Sequence, residues 1–377
     1  MPVAAPVFLP LPGTRPAQAP SATGDQDFPP RPAGDALVDR FGRVAADLRL
    51  SVTDRCNLRC TYCMPAEGVD WLARDDLLTA AELVRLAGVA VTALGVRHVR
   101  LTGGEPLLRR DLVDIVAGIA ALQPRPRIAM TTNGLGLARS AADLAAAGLD
   151  RVNVSLDTLR PDTFRALARR DRLDQTLAGL AAAASAGLAP VKVNTVLMRG
   201  VNDEQAPELL RFCLAAGYEL RFIEQMPLDA GHGWTRATMV TAAEIHDRLS
   251  REFRLVADEE PRGSAPAERF AVRSVDGRLQ GRVGIVASVT ASFCGACDRT
   301  RLTADGQLRS CLFSHTETDL RAMLRSGADD AEIAEAWRAT MWAKPAGHGI
   351  DDEVGAGGGI ASSGFVQPDR PMSAIGG

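Results

Sequence analysis

The stretch Asp47-Leu-Arg-Leu-Ser-Val-Thr-Asp-Arg-Cys56-Asn-Leu-Arg-Cys60-Thr-Tyr62-Cys63-Met-Pro65 decides the fold. Leu48, Leu50 and Val52 alternate with Arg49, Ser51 and Thr53, the period of a half-buried strand. Three cysteines follow at C-x3-C-x2-C spacing, so they fall just beyond the strand's C-terminal end, where β/α barrel enzymes place their chemistry. Three thiolates can hold three irons of a [4Fe–4S] cluster whose full protein ligation takes four cysteines, leaving one iron open to a ligand. No histidine lies in the loop to complete a four-ligand zinc site.

Further along, β-like runs at Asp47–Thr53, Arg97–Thr102, Arg127–Thr132, Arg151–Leu156, Val191–Met198 and Glu219–Met226 alternate with helical segments near 79–94, 109–121, 140–147, 161–170, 174–187 and 203–216. Thr79-Ala-Ala-Glu82 and Thr241-Ala-Ala-Glu244 are capping-box helix starts. Six β-then-α units imply a parallel sheet with helices outside, an open partial (βα)6 barrel over 46–240. Beyond residue 253 the pattern turns to strands and Asp-Gly hairpins, then helices near 319–326 and 329–343, which reads as a smaller C-terminal α+β domain over 241–343. Residues 1–45 are Pro/Ala-rich and read as a disordered arm, without the basic start of a secretory signal, and 344–377 as a Gly-rich tail.

Strand parity carries function. His98, Arg100 and Thr102, Asn153, Ser155 and Asp157, and Lys192 and Asn194 repeat the polar parity of Arg49, Ser51 and Thr53. The apolar parity must face the helices, so the polar one faces the barrel interior. A filled barrel would use Val, Ile and Leu there. A polar, basic interior calls for a large anionic ligand.

Composition is ordinary for a soluble globular protein. The 377 residues are 46% hydrophobic and 24% charged, with formal net charge −3, which argues against a nucleic-acid-binding surface. No apolar run is long enough for a membrane span. Of 43 basic residues only Lys192 and Lys344 are lysines. Three of the seven cysteines form the first group; Cys294, Cys297 and Cys311 form a second, C-x2-C-x13-C; Cys213 reads as a buried small hydrophobe. With His315, the second group also fits a zinc site, and spacing alone leaves zinc and iron–sulfur open.

The first cysteine group with Tyr62 before its last member, followed by Gly103-Gly104-Glu105-Pro106 after strand two, resembles the radical S-adenosylmethionine superfamily. The glycines allow close backbone approach, and a carboxylate or carbonyl there would grip the methionine ammonium. Together with Thr131-Thr132-Asn133-Gly134, Asn153 to Asp157, Val191 to Val196, Arg221-Phe222-Ile223-Glu224, Cys294 to Arg301 and the final Ile375-Gly376-Gly377, the chain resembles the GTP 3′,8-cyclase family of molybdenum cofactor biosynthesis. The resemblance implies two [4Fe–4S] clusters, on Cys56, Cys60 and Cys63 and on Cys294, Cys297 and Cys311, with the open iron of the second binding guanine. It implies a S-adenosylmethionine site at Tyr62, Gly104, Ser155 and Met226. GTP would meet Arg49, Arg100, Thr131, Lys192, Arg299, Thr300 and Arg301, and Gly376 and Gly377 would reach the active site and be needed for catalysis. A 5′-deoxyadenosyl radical would take hydrogen from C3′ of GTP, and the carbon radical would close on C8 to give (8S)-3′,8-cyclo-7,8-dihydroguanosine 5′-triphosphate. An electron donor and a downstream cyclic pyranopterin monophosphate synthase are implied partners, in the cytoplasm, and a homodimer stays open. The rivals are a radical peptide maturase, which would carry more C-terminal cysteines, and a non-catalytic RNA-binding module, which would need cations facing outward.

Overall fold

The computed structural model describes residues 30–229, 231–350, 367–368 and 370–376. Strands β1 Asp47–Ser51, β2 His98–Thr102, β3 Arg127–Thr132, β4 Arg151–Ser155, β5 Lys192–Leu197 and β6 Glu219–Glu224 alternate with helices α1 Ala80–Thr92, α2 Leu112–Ala120, α3 Leu137–Ala146, α4 Pro161–Ala168, α5 Leu173–Ser185 and α6 Ala206–Ala216. All six strands pair in parallel and in chain order, each next to its successor. The apolar parity is buried beneath the helices: Leu48, Leu50, Val99, Leu101, Val152 and Val154 join Leu83, Leu86, Ile115 and Leu144 in one core. Both capping boxes form, with the Thr79 hydroxyl accepting from Glu82 N and the Glu82 carboxylate from Thr79 N; Thr241 and Glu244 start α7 Ala242–Ser250 in the same way.

Next come β7 Arg254–Ala257, β8 Glu268–Arg273, β9 Leu279–Val286, β10 Arg299–Leu302, β11 Gln307–Arg309 and β12 Thr318–Asp319, then α8 Leu320–Arg325, α9 Asp330–Trp342 and α10 Met372–Ile375. Their strands extend the six-stranded sheet at both ends: β9 adds in parallel to β6, and β10 adds in parallel to β1. One continuous 12-stranded sheet results, so the (βα)6 unit and the C-terminal α+β segment share a wall.

Two segment readings change. Within the expected arm, Leu37 and Ala45 bury in the main core and Arg43 bonds to Asp39 and to the carbonyls of Cys294, Pro345 and Ala346. One apolar anchor and one multiply bonded arginine offset the ordering entropy that the composition suggested would win. Residues 1–29 of the arm lie outside the described residues. Residues 344–350 of the expected tail pack against the second cysteine loop, and 351–366 lie outside the described residues. Among the described residues no helix is long and apolar enough to cross a membrane.

Candidate active site

The loop after β1 carries Cys56, Cys60 and Cys63 at the C-terminal mouth of the sheet. Cys63 N and Met64 N both donate to Cys60 O, at 2.9 and 3.0 Å, which closes a turn and fixes the spacing of the last two thiols. Arg59 N and Thr61 N dock the loop on the carbonyls of Ala168 and Leu167 at the end of α4. Burial pushes all three thiols up, Cys63 to about 12, and the Cys56 charge raises Cys63 further. Three mutually repelling, part-buried thiols suit a polynuclear cationic cluster that would supply the missing positive charge.

The loop after β2 lies directly on this one. Gly104 N donates to Thr53 O at 2.8 Å and Glu105 N to Arg55 O at 2.7 Å, and a Cβ on Gly104 would run into the Asp54 and Arg55 carbonyls. The glycine is therefore a close-approach residue. Glu105 does not reach outward. Its carboxylate accepts from Thr132 Oγ1 (2.6 Å), Asn133 N (2.7 Å) and Leu107 N (3.0 Å), which leaves a backbone carbonyl, not this carboxylate, to grip an ammonium. Burial nevertheless pushes Glu105 up to about 7 against those three bonds. Its ordinary value is 4.5, so its contribution to stability is greatest in acid and declines as pH rises through this range. Glu105→Gln turns an acceptor toward these donors into a donor and should cost about 1–3 kcal/mol. The deficit, read as a lowered apparent Tm, should be widest near pH 4.5 and narrow toward about pH 7.

Tyr62 Oη donates to Asp157 Oδ2 at 2.7 Å, while Asp157 Oδ1 accepts from Val196 N at 2.8 Å. Burial raises Asp157 to about 6 and the Tyr62 phenol well above its usual range. Tyr62, Gly104, Ser155 and Met226 thus sit at or just beyond the ends of β1, β2, β4 and β6. Met226 is the one of the four that also lines the cavity described next, packed with Leu228, Leu312 and Ile375.

Sheet register gathers the arginines. Arg301 of β10 is level with Arg49 of β1, Arg49 with Arg100 of β2, Arg100 with Ala129, and Ala129 with Arg151 of β4. Period-two alternation sends Arg299 and Arg301 inward and Thr300 outward, where its buried hydroxyl accepts from Trp337 Nε1 of α9 at 2.9 Å. Arg49, Arg100, Thr131, Arg299 and Arg301 line one cavity of about 180 Å³ together with Cys294, Cys297 and Cys311. Lys192 is not among the lining residues; it pairs with Glu219 at 2.5 Å. Asn194, on the inward parity already read, lines the cavity; the sequence reading missed Arg221, which also lines it, and Phe293, whose ring lies 4.4 Å from the Arg299 guanidinium. Arg221 stands on the polar parity of β6, which was the available signal.

This basic wall is undercompensated. Asp47 pairs with Arg49 at 2.9 Å and with Arg100 at 3.7 Å. Burial, then Arg151 and Arg49, bring Arg221 down to about 9, and burial, then Arg49 and Arg299, bring Arg301 to about 9. Arg221 Nε and Nη2, Arg100 Nε and Arg299 Nε are buried without a hydrogen-bond partner. Buried donors rarely stay unpaired, so the wall is built for a polyanion.

Gly376 lies against one of these arginines. Arg301 Nη1 donates to Gly376 O, Ser51 Oγ to Ile375 O at 3.4 Å, and a Cβ on Gly376 would strike Ser51 Oγ and Thr102 Oγ1. Arg370 anchors this segment on Asp305 at 2.8 Å and Glu317 at 2.7 Å. Gly377 lies outside the described residues.

At the second trio, burial would raise Cys297, but Lys344 and Arg299 bring its thiol below the ordinary value. Cys294 is pushed up to about 11 by burial and by Cys311. His315, the fourth ligand of the zinc reading, is exposed and is not a lining residue. Among the described residues no three His, Cys, Asp or Glu side chains are placed to hold a single metal ion. The trio fits a three-cysteine cluster with an iron open toward the cavity better than closed zinc.

The family model for the radical SAM superfamily matches residues 50–213, and that for Molybdenum Cofactor Synthesis C matches 218–350. A GTP 3′,8-cyclase of Streptomyces coelicolor is 63% identical over 92% of this chain and 98% of its own, and one of Mycolicibacterium smegmatis 59% identical over 94% and 95%. The chain belongs to the GTP 3′,8-cyclase family. Members of this family are radical S-adenosylmethionine enzymes, and two iron–sulfur clusters are the norm among GTP 3′,8-cyclases. In fold, the chain is similar to Streptococcus suis SuiB bound to S-adenosylmethionine, with TM-score 0.53 at 15% identity over 78% of this chain and 68% of that one. The match to the GTP 3′,8-cyclase C-terminal model runs to residue 350 and so takes in Lys344 and His348.

Proposed function

We propose that this chain converts GTP to (8S)-3′,8-cyclo-7,8-dihydroguanosine 5′-triphosphate. The observation that carries this reading is the wall of inward arginines with unpaired buried donors, lining one cavity together with a cysteine trio. A triphosphate satisfies the wall, and a base at its far end reaches the trio. When bound, a cluster on Cys56, Cys60 and Cys63 with S-adenosylmethionine supplies the radical that takes hydrogen from C3′, and a cluster on Cys294, Cys297 and Cys311 offers an open iron to the guanine. The chain's own part is positional. Arg49, Arg100, Arg221, Arg299 and Arg301 hold the phosphates, bidentately where geometry allows. Tyr62, Gly104, Ser155 and Met226 line the S-adenosylmethionine side. The barrel wall excludes water from the carbon radical, and Gly376 closes the space beside Ser51 and Thr102. The reading requires an electron donor and a downstream enzyme that completes the pyranopterin, in a reduced cytoplasmic setting.

The test is anaerobic turnover with GTP deuterated at C3′. Transfer of deuterium into 5′-deoxyadenosine, dependent on GTP and absent with ATP, is the expected result; deuterium-free 5′-deoxyadenosine at the same rate would overturn the assignment. Gly376→Ala is a separate check. Gly376 has φ +82°, and its new methyl meets two hydroxyls, so the docked segment must leave. Product formation should fall at least tenfold, an effect of order 1.4 kcal/mol or more, with iron content unchanged.

A further inference from the structure

Lys344, one of two lysines among 43 basic residues, is only 2% exposed at the end of α9. Its Nζ lies 2.8 Å from Arg299 O, 3.2 Å from Cys297 O and 3.3 Å from Cys297 Sγ. Three acceptors match the three donors of an ammonium. The short strap that follows is tied to the same loop. Arg43 joins Cys294 O (2.7 Å) to Pro345 O (2.6 Å) and Ala346 O (2.8 Å). The His348 backbone bonds to Cys294, and His348 Nε2 meets Ser288 O at 3.0 Å. Two of the three cysteines in the second trio therefore receive a hydrogen bond from residues 344–348.

We infer that Lys344 is a positioning residue for the second cluster. Its ammonium sets the charge beside the Cys297 sulfur and pins the Cys297–Arg299 backbone, so the cluster and the inward Arg299 guanidinium keep their relative places around the cavity. The inference rests on the reading that Cys294, Cys297 and Cys311 hold a [4Fe–4S] cluster. Cluster potentials follow net charge and hydrogen bonds to the sulfurs, and outer partners orient the ligands. Removing the cation makes the second cluster harder to reduce.

The experiment compares wild type, Lys344→Met and Lys344→Arg as full chains reconstituted anaerobically, with iron and sulfide counted and both cluster potentials titrated by EPR. Wild type should carry about eight irons, four per cluster. Lys344→Met should move one of the two potentials to a more negative value and leave the other in place, while Lys344→Arg, which keeps the charge, stays nearer wild type. If Lys344→Met loads only about four irons and Lys344→Arg about eight, the charge is needed to hold the cluster, which also supports the inference. Equal loss of iron in both variants, or full loading of Lys344→Met with both potentials unmoved, overturns it. A wild type holding only about four irons defeats the two-cluster reading itself, and the inference with it.

Discussion

Cys63→Ala is expected to reduce iron from about eight to about four per chain and to take 5′-deoxyadenosine formation to the background of the assay. The loop offers three free thiols and no fourth. The turn closed on Cys60 O fixes the backbone of Cys63 beside Cys60, and charge on the neighbouring thiols pushes Cys60 and Cys63 up. A cluster held by two cysteines would expose two irons and be lost. The control is Cys213→Ala. Cys213 is fully buried on α6, with its thiol pushed up to about 12 by burial, so it behaves as a small hydrophobe. It should leave both the iron count and cleavage activity unchanged. Retained activity in Cys63→Ala would remove this trio from the radical chemistry.

Arg221→Met should produce opposite effects on binding and on stability. In the absence of substrate Arg221 is a buried cation with two unpaired nitrogens, beside Arg151 and Arg49. Its value in the folded chain, about 9, lies below the ordinary 12.5. Protonation therefore opposes folding at every pH below about 9, and the penalty lifts as pH rises beyond it. Methionine has similar bulk and no charge, so the apparent Tm at pH 7.5 should equal or exceed that of wild type. GTP affinity should fall. Losing one partner of a buried charged contact costs about 2–5 kcal/mol, and the remaining arginines place this site near the low end, roughly 30- to 300-fold in Kd. Equilibrium binding without reductant reads the loss. A lowered Tm with unchanged GTP affinity would make Arg221 a structural residue and detach it from the phosphate site.

Much of the site was legible in the chain because its signals are local. Cysteine spacing survives any fold, and strand parity reports which side chains face inward. Arg49 and Arg100 were readable for that reason, and so was the polar interior, whereas Thr131 came only from the family resemblance. The sequence left a carboxylate or a carbonyl open at Gly103 to Pro106, because two of the three donors to Glu105 come from the end of β3, some 27 residues away. Thr300 was named with Arg299 and Arg301 from the family run, and the fold turns its side chain toward Trp337 of α9.

The sequence by itself determined the six β/α repeats, the two cysteine trios and the sign of charge on the inward parity, since each follows from spacing and periodicity along one stretch of chain. Only the tertiary structure decided that β10 pairs with β1 from about 250 residues away in sequence and brings Arg301 level with Arg49. The same folding set Gly376 against Ser51 and Thr102, and Lys344 on Cys297. Side-chain periodicity says which face a residue takes and carries no information on which strand lies next to it. Neighbours across the sheet are chosen by the burial and pairing of the whole chain at once.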